Sequence, residues 1–273
     1  MNRHESMRRL FGAPRALIGM IHVGALPGTP AAGARLERVI ETAVAEGRAY
    51  RDAGYTAVLI ENMHDRPYLK RAVGPEIVAA MTAIGQAVRR EVALPLGVQV
   101  LSGANREAIA VAHACGGVFV RVEGFVFAHV ADEGLMEADA GELLRYRRAI
   151  GADEVRILAD VKKKHSAHAL TADVDLVETA RAAEFFLADG VVVTGPVTAR
   201  AADVAEVDAV AAAVDLPTFV GSGITPANLP AYPAADGFIV GSYVKQGGLW
   251  SNPLDGERAQ AVGSAFRALE RAR

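Results

Sequence analysis

The sequence predicts an α/β protein built as one closed (β/α)8 barrel, and three observations carry that expectation. Eight short, β-branched apolar runs recur along the 273 residues. Ala-rich segments with helical spacing separate them. The length is close to the roughly 250 residues that one such barrel needs. The runs are apolar throughout instead of alternating, which is the pattern of strands covered on both faces.

In chain order the apolar runs lie at 16–22, 56–61, 95–100, 117–122, 155–161, 190–194, 217–220 and 237–240. The helical segments between and after them are 36–53, 76–91, 105–113, 140–150, 174–188, 201–214 and 259–272, and a short one at 226–232 follows the seventh run. Alternation of this kind gives a parallel sheet with helices outside it. An open, doubly wound sheet is the rival arrangement. It would place Gly-x-Gly-x-x-Gly after the first strand, whereas this chain runs from His22 into Val23-Gly24-Ala25-Leu26. No linker rich in Pro, Ser or charge divides the chain, so it reads as an N-terminal extension, 1–15, before one TIM barrel, 16–273.

Composition narrows the function classes. Apolar residues make up 51% and charged residues 22%, the balance of a globular protein with a substantial core. The net charge is −3 and Lys and Arg are spread through the helical segments, so no basic face is offered to nucleic acid. A single cysteine, Cys115, excludes an internal disulfide and a cysteine-based structural zinc site, and fits a reducing compartment such as the cytoplasm. Residues 1–15 are polar and Arg-bearing, and no apolar run after them is long enough for a signal peptide, so neither export nor membrane insertion is expected. Tyr243, Leu249 and Trp250 sit near a predicted rim, where they would either pair subunits in a homo-oligomer or cover the pocket.

In this fold chemistry sits at the C-terminal ends of the strands, so the residues to read are those where each apolar run stops. Glu61 closes a wholly apolar run, a costly place for an acid unless it is paired or used, and it is the first candidate for a general base. The plain alternative is an ion pair to Arg66 or Arg121. Asp160 and Lys162 are two apart on a strand and should face the same side, which makes a proton-transfer pair or a Schiff-base lysine conceivable. Lys163 should then face away, and Lys164 falls on the Asp160 side again. His22 and His165 stand at strand ends as candidate acids or phosphate ligands. Asn62, Asp65, Gln99, Arg121, Glu123 and Thr194 are the remaining polar strand-end residues and the candidates for substrate binding.

The signal most specific to position is Gly221-Ser222-Gly223 after the seventh run together with Gly241-Ser242 after the eighth, because those two loops commonly form the phosphate site of this fold. Glycines let backbone approach an anion, N–H groups at a following helix start bind it, and Lys245 would add charge. The alternative is a pair of ordinary tight turns. A divalent metal would need several of His22, Glu61, Asp65, Asp160 and His165 to converge. There is neither His-x-His on the first strand nor His-Glu-x-x-His anywhere, so no cofactor is predicted, while the side-chain types leave a divalent metal possible.

Several motifs appear in order between about residues 16 and 260. They are Ile18-Gly19-Met20-Ile21-His22 with Leu26-Pro27-Gly28, Glu61-Asn62 with Asp65 and Pro67, and Asp160-Val161 with Lys164-His165. Val220-Gly221-Ser222-Gly223, Ile239-Val240-Gly241-Ser242 and Asn252-Pro253-Leu254-Asp255 follow. Together they resemble the BtpA/SgcQ family. The resemblance implies a barrel of the ribulose-phosphate-binding type, and the family's names point either to photosystem I accumulation and stability or to neighbourhoods of carbohydrate genes. The chain departs from the family pattern at Met63-His64, Ser102-Gly103 and Glu123-Gly124.

The expectation is therefore an enzyme that performs acid/base chemistry on a phosphorylated sugar or nucleotide-like metabolite. Glu61, Asp160 and His165 would move protons while the last two loops hold the phosphate. Isomerase, lyase and hydrolase chemistry all suit this constellation. The rivals are a non-enzymatic assembly or stability factor for a membrane complex and a metal-dependent hydrolase.

Overall fold

The structure is a computed structural model and describes residues 3–163, 165–195 and 200–271. Eight parallel strands form the barrel: β1 (Ala16–His22), β2 (Ala57–Glu61), β3 (Leu96–Gln99), β4 (Phe119–Val122), β7 (Arg156–Val161), β9 (Gly190–Thr194), β10 (Thr218–Gly221) and β11 (Gly237–Val240). They close in the order β1-β11-β10-β9-β7-β4-β3-β2. All eight runs read from the sequence are present, with ends that move by no more than two residues.

Outside lie α2 (Leu36–Asp52), α3 (Pro75–Val92), α4 (Asn105–Cys115), α5 (Ala140–Ala149), α6 (Leu176–Phe185), α7 (Val204–Ala213) and α8 (Gly256–Arg271). The expected helix at 226–232 is only a 3-10 turn, Leu229–Ala231, held by Asn228, whose side chain accepts from the Thr225 N–H and donates to the Gly223 carbonyl. Pro230 removes a backbone donor there, which limits propagation.

Side-chain alternation divides every strand between two cores. The outward set, including Leu17, Ile21, Val58, Ile60, Val98, Val120 and Val193, packs against the helices. The inward set fills the barrel: Ala16, Ile18 and Met20 from β1, Ala57 and Leu59 from β2, then Phe119, Leu158, Val192, Phe219 and Ile239. Gly97 occupies the inward position on β3 because a Cβ there would stand 2.2 Å from the Phe119 ring.

Two parts of the fold were not expected. The first is α1 (Arg3–Phe11) in the N-terminal extension, whose Met7 and Phe11 join the barrel-interior cluster. The Phe11 ring meets Phe119 at 5.6 Å and Phe219 at 5.9 Å, edge to face, so the helix closes the N-terminal end of the barrel. Arg3 pins it by pairing with Asp236 and donating to the Ala211 and Ala234 carbonyls.

The second is a small antiparallel sheet beside the mouth, made of β5 (His129–Ala131), β6 (Gly134–Met136) and β8 (Ser166–Ala167). It ties the loop after β4 to the loop after β7. Its base is clamped by Arg71, which donates to Asp139 at 2.7 Å and to the Gly124 carbonyl at 3.0 Å.

Candidate active site at the barrel mouth

Strand register builds one face of the site. His22 of β1 pairs with Glu61 of β2, and Glu61 pairs with Gln99 of β3, so three inward side chains share one layer above the apolar interior. His22 Nε2 lies 3.8 Å from Glu61 Oε2, and His22 Nδ1 lies 2.9 Å from the Trp250 carbonyl. A carbonyl only accepts, so Nδ1 carries the ring proton and Nε2 of the neutral ring is the basic nitrogen. Of the expected alternative partners of Glu61, Arg121 pairs with Asp160 and also feels the Glu61 charge, and Arg66 lies over the Trp250 ring at 4.8 Å.

The next strands bring two buried ion pairs. Arg121 donates to both Asp160 oxygens, at 2.9 and 3.0 Å. Burial opposes the guanidinium charge, but the Asp160 carboxylate outweighs it and raises the pKa of Arg121. Glu123 accepts from Lys163 Nζ and Ser102 Oγ, each at 3.0 Å. Burial raises the Glu123 pKa, and Lys163 with its companions overcomes this to leave it below the ordinary carboxylate value. In both pairs hydrogen bonds join the opposite charges, the compensation that buried ion pairs need.

These residues enclose a cavity of about 160 Å3 in which His22, Glu61, Gln99, Arg121, Glu123 and His165 all appear. The last two loops complete the wall with Ser222, Gly223, Gly241 and Ser242, opposite Gln99 and Arg121 in the ring of strands and next to His22. Ser222 and Gly223 both adopt left-handed backbone, at φ +71° and +63°, which turns the chain sharply over the barrel end. A non-glycine residue in that region carries strain, the kind of outlier that motivates a search for function.

Other expected site residues are placed differently. Asn62 donates to Asp65 at 2.9 Å and accepts from the Leu101 N–H, while Asp65 accepts from the Leu26 N–H, so this pair braces three loops beside the cavity. Lys245 is 1% exposed and points at Glu46 of α2 at 2.6 Å, so its ammonium leaves the phosphate loops. Burial lowers its pKa against the opposing pull of Glu46. The cause is the 3-10 turn Ser242–Val244, which carries the chain outward past the strand. No α-helix opens directly after β10 or β11, so the anticipated helix start is absent there.

The orientation of the two lysines is also corrected. Lys162 has left-handed backbone, φ +47°, which ends the strand alternation at Val161. Lys162 therefore turns toward the Thr171 carbonyl at 3.3 Å, and Lys163 is the lysine that faces the cavity. Asp160 sits behind Arg121, in a side cleft shared with Lys162. Thr194 and Gly221 lie below the loops and outside the cavity wall, and Lys164 is outside the described residues.

Ser102 and Tyr243 line the cavity, and so do Tyr68, Asp132 and Glu133, which arrive from loops and which the strand-end reading missed. Tyr243 thus covers the pocket, and Trp250 joins it by packing on His22 and His64. Among the described residues no group of three His, Cys, Asp or Glu side chains is placed to hold a metal ion. Nor, among them, is any helix long and apolar enough to cross a membrane.

A closed parallel barrel with a polar cavity at the strand C-termini defines a TIM-barrel protein. More narrowly, the chain belongs to the BtpA family, whose model matches residues 13–268. It is 44% identical to an uncharacterised mitochondrial protein of Caenorhabditis elegans, over 96% of this chain and 97% of that one. It is 35% identical to the photosystem I biogenesis protein BtpA of Synechocystis, over 92% of this chain and 88% of that one. Among solved structures, (S)-3-O-geranylgeranylglyceryl phosphate synthase from Thermoplasma acidophilum, in complex with sn-glycerol-1-phosphate, superposes with a TM-score of 0.59. That match covers 98% of this chain and 99% of the other at 15% identity, a likeness of fold.

Proposed function

We propose that this protein is an enzyme that carries out acid/base chemistry on a small phosphorylated metabolite bound in the barrel mouth. The observation that carries the reading is the alignment of His22, Glu61 and Gln99 in one buried layer of the cavity that the Ser222-Gly223 and Gly241-Ser242 loops also line, with His22 beside Gly241 and Gln99 across from the Ser222 loop. Glu61 Oε2 lies 3.8 Å from His22 Nε2, and the Trp250 carbonyl fixes Nε2 as the nitrogen that would exchange a proton with a ligand.

The phosphate assignment is supported by the position of the loops in this fold and by the sn-glycerol-1-phosphate bound to a protein of the same architecture. Fixing the phosphate remote from the reacting carbon would supply orientation to the proton-transfer residues. The cavity is small beside typical ligand pockets of roughly 300–1,000 Å3, which favours a compact metabolite. Cys115 is buried and unpaired, and burial raises its pKa, consistent with a structural thiol in a reducing compartment such as the cytoplasm.

The name of the Synechocystis relative supports a second reading, a non-catalytic factor in biogenesis of a membrane complex. A thermal-shift screen against inorganic phosphate, phosphosugars and nucleotides separates the two. A bound phosphorylated ligand at ten times its Kd should raise Tm by about 3–6 °C. Ser222→Asp, whose side chain tolerates left-handed backbone, should abolish that rise by repelling the anion. No shift with any phosphorylated compound at millimolar concentration favours the biogenesis reading.

A further inference from the structure

Among the described residues, two of the buried side-chain atoms without a hydrogen-bond partner are oxygens on the cavity wall: Gln99 Oε1 and Glu133 Oε2. Gln99 is 2% exposed, at the end of β3. Glu133 comes from the turn between β5 and β6, the tip of the hairpin. A buried acceptor without a donor is destabilising unless something that enters the site satisfies it.

The nearby cations are already committed, Arg121 to Asp160 and Lys163 to Glu123 and Ser102. Lys163 uses two of its three N–H bonds in this way, leaving one for a ligand. This side of the mouth therefore presents two acceptors, with the Lys163 N–H and the Gln99 amide N–H groups as donors beside them. An ammonium would satisfy the acceptors and be repelled by Lys163, whereas a hydroxyl both donates and accepts. In the ring of strands β3 and β4 stand diametrically opposite β10 and β11, so a ligand with one end at Ser222 and Ser242 reaches Gln99 with the other.

We propose that Gln99, Lys163 and the hairpin-tip residue Glu133 form a polyol subsite that binds the hydroxyl groups of the substrate's carbon skeleton. The substrate class is then a sugar or polyol phosphate, and the hairpin sets which one is accepted. This rests on the phosphate reading above for the other end of the ligand. The subsite binds and selects, and it takes no part in the proton transfer assigned to His22 and Glu61.

The test is calorimetric titration of wild type, Gln99→Leu and Glu133→Ala with ribose 5-phosphate, glucose 6-phosphate, 2-phosphoglycolate and the two free sugars. At least one sugar phosphate should bind wild type about tenfold tighter than 2-phosphoglycolate, which offers a phosphate and almost no hydroxyl donors. Each variant should lose about that factor for the sugar phosphate and keep its affinity for 2-phosphoglycolate. Gln99→Leu should also raise the Tm of the ligand-free protein, because it removes a buried unsatisfied oxygen, and this separates a lost contact from a misfolded variant.

Equal affinity for sugar phosphates and 2-phosphoglycolate, or variants that bind sugar phosphate as wild type does, would overturn the subsite and leave the phosphate reading standing. If no phosphorylated compound binds, the phosphate reading fails. Free sugar binding that Gln99→Leu removes would then keep the subsite, and no binding of free sugar would end both.

Discussion

The two ends of this barrel are built from the same strands by the same alternation, yet one is a plug and the other a site. At the N-terminal end the inward positions are Ala16, Ala57, Phe119 and Phe219, and α1 drops Met7 and Phe11 onto them. Six residues or fewer further along, β1 to β4 place His22, Glu61, Gln99 and Arg121 at the inward positions, and the end stays open as a cavity. The lesson is a division of labour along the strand axis. Apolar layers fix the barrel, and the last layer carries charges that the fold tolerates only because each buried pair is hydrogen-bonded.

The division can be broken most forcefully at the mouth. Asp160→Ala leaves the Arg121 guanidinium buried without its bidentate partner and should cost about 3–5 kcal/mol of stability in denaturant titration. The double variant Arg121→Met with Asp160→Leu should recover most of that loss while impairing any activity. An Asp160→Ala protein as stable as wild type would mean the pair is not desolvated.

At the other end, Phe11→Ala removes an aromatic anchor at 6% exposure and should cost about 3 kcal/mol. Ligand affinity should stay within about twofold of wild type, since the plug lies below the apolar layers. A plug variant that loses ligand binding without unfolding would show that the two ends are coupled.

The smallest expected effect concerns the mouth cover. His129 is buried on β5 of the hairpin, and burial first, then Lys163, push its pKa down to about 4. The unfolded chain takes up a proton near pH 6.5 that the folded one refuses, so stability is lost as pH falls from about 6.5 toward 4. Asp139, raised to about 6 chiefly by burial, has the opposite sign and loses stability as pH rises through that window. His129→Gln should therefore remove about 1–2 kcal/mol of the stability drop between pH 7 and pH 5, and leave the Asp139 slope exposed. Unchanged pH dependence would place the ring in solvent.

Much of this organisation was legible in the sequence, for identifiable reasons. Continuous apolar runs such as 56–61 mark strands covered on both faces, and the first polar residue at the end of each run fell on the cavity wall for His22, Glu61, Gln99 and Arg121. The same logic failed where the backbone stopped being a strand. Left-handed Lys162 exchanged the faces of Lys162 and Lys163, and a 3-10 turn carried Lys245 to Glu46. Asn62 and Asp65 are polar at a strand end because loops need bracing.

The hairpin that delivers Glu133 has three-residue strands, too short for any period to show. The plug did leave a trace, since Met7, Leu10 and Phe11 are spaced as one face of a helix. The polar residues around it give the stretch no apolar run.

The most direct test of the central claim is a crystal structure of the protein with ribose 5-phosphate. The account predicts the phosphate against Ser222, Gly223 and Ser242, with the sugar extending across the mouth toward Gln99. A phosphate bound away from these loops, for example in the outer groove of Arg71 and Arg106, would contradict it.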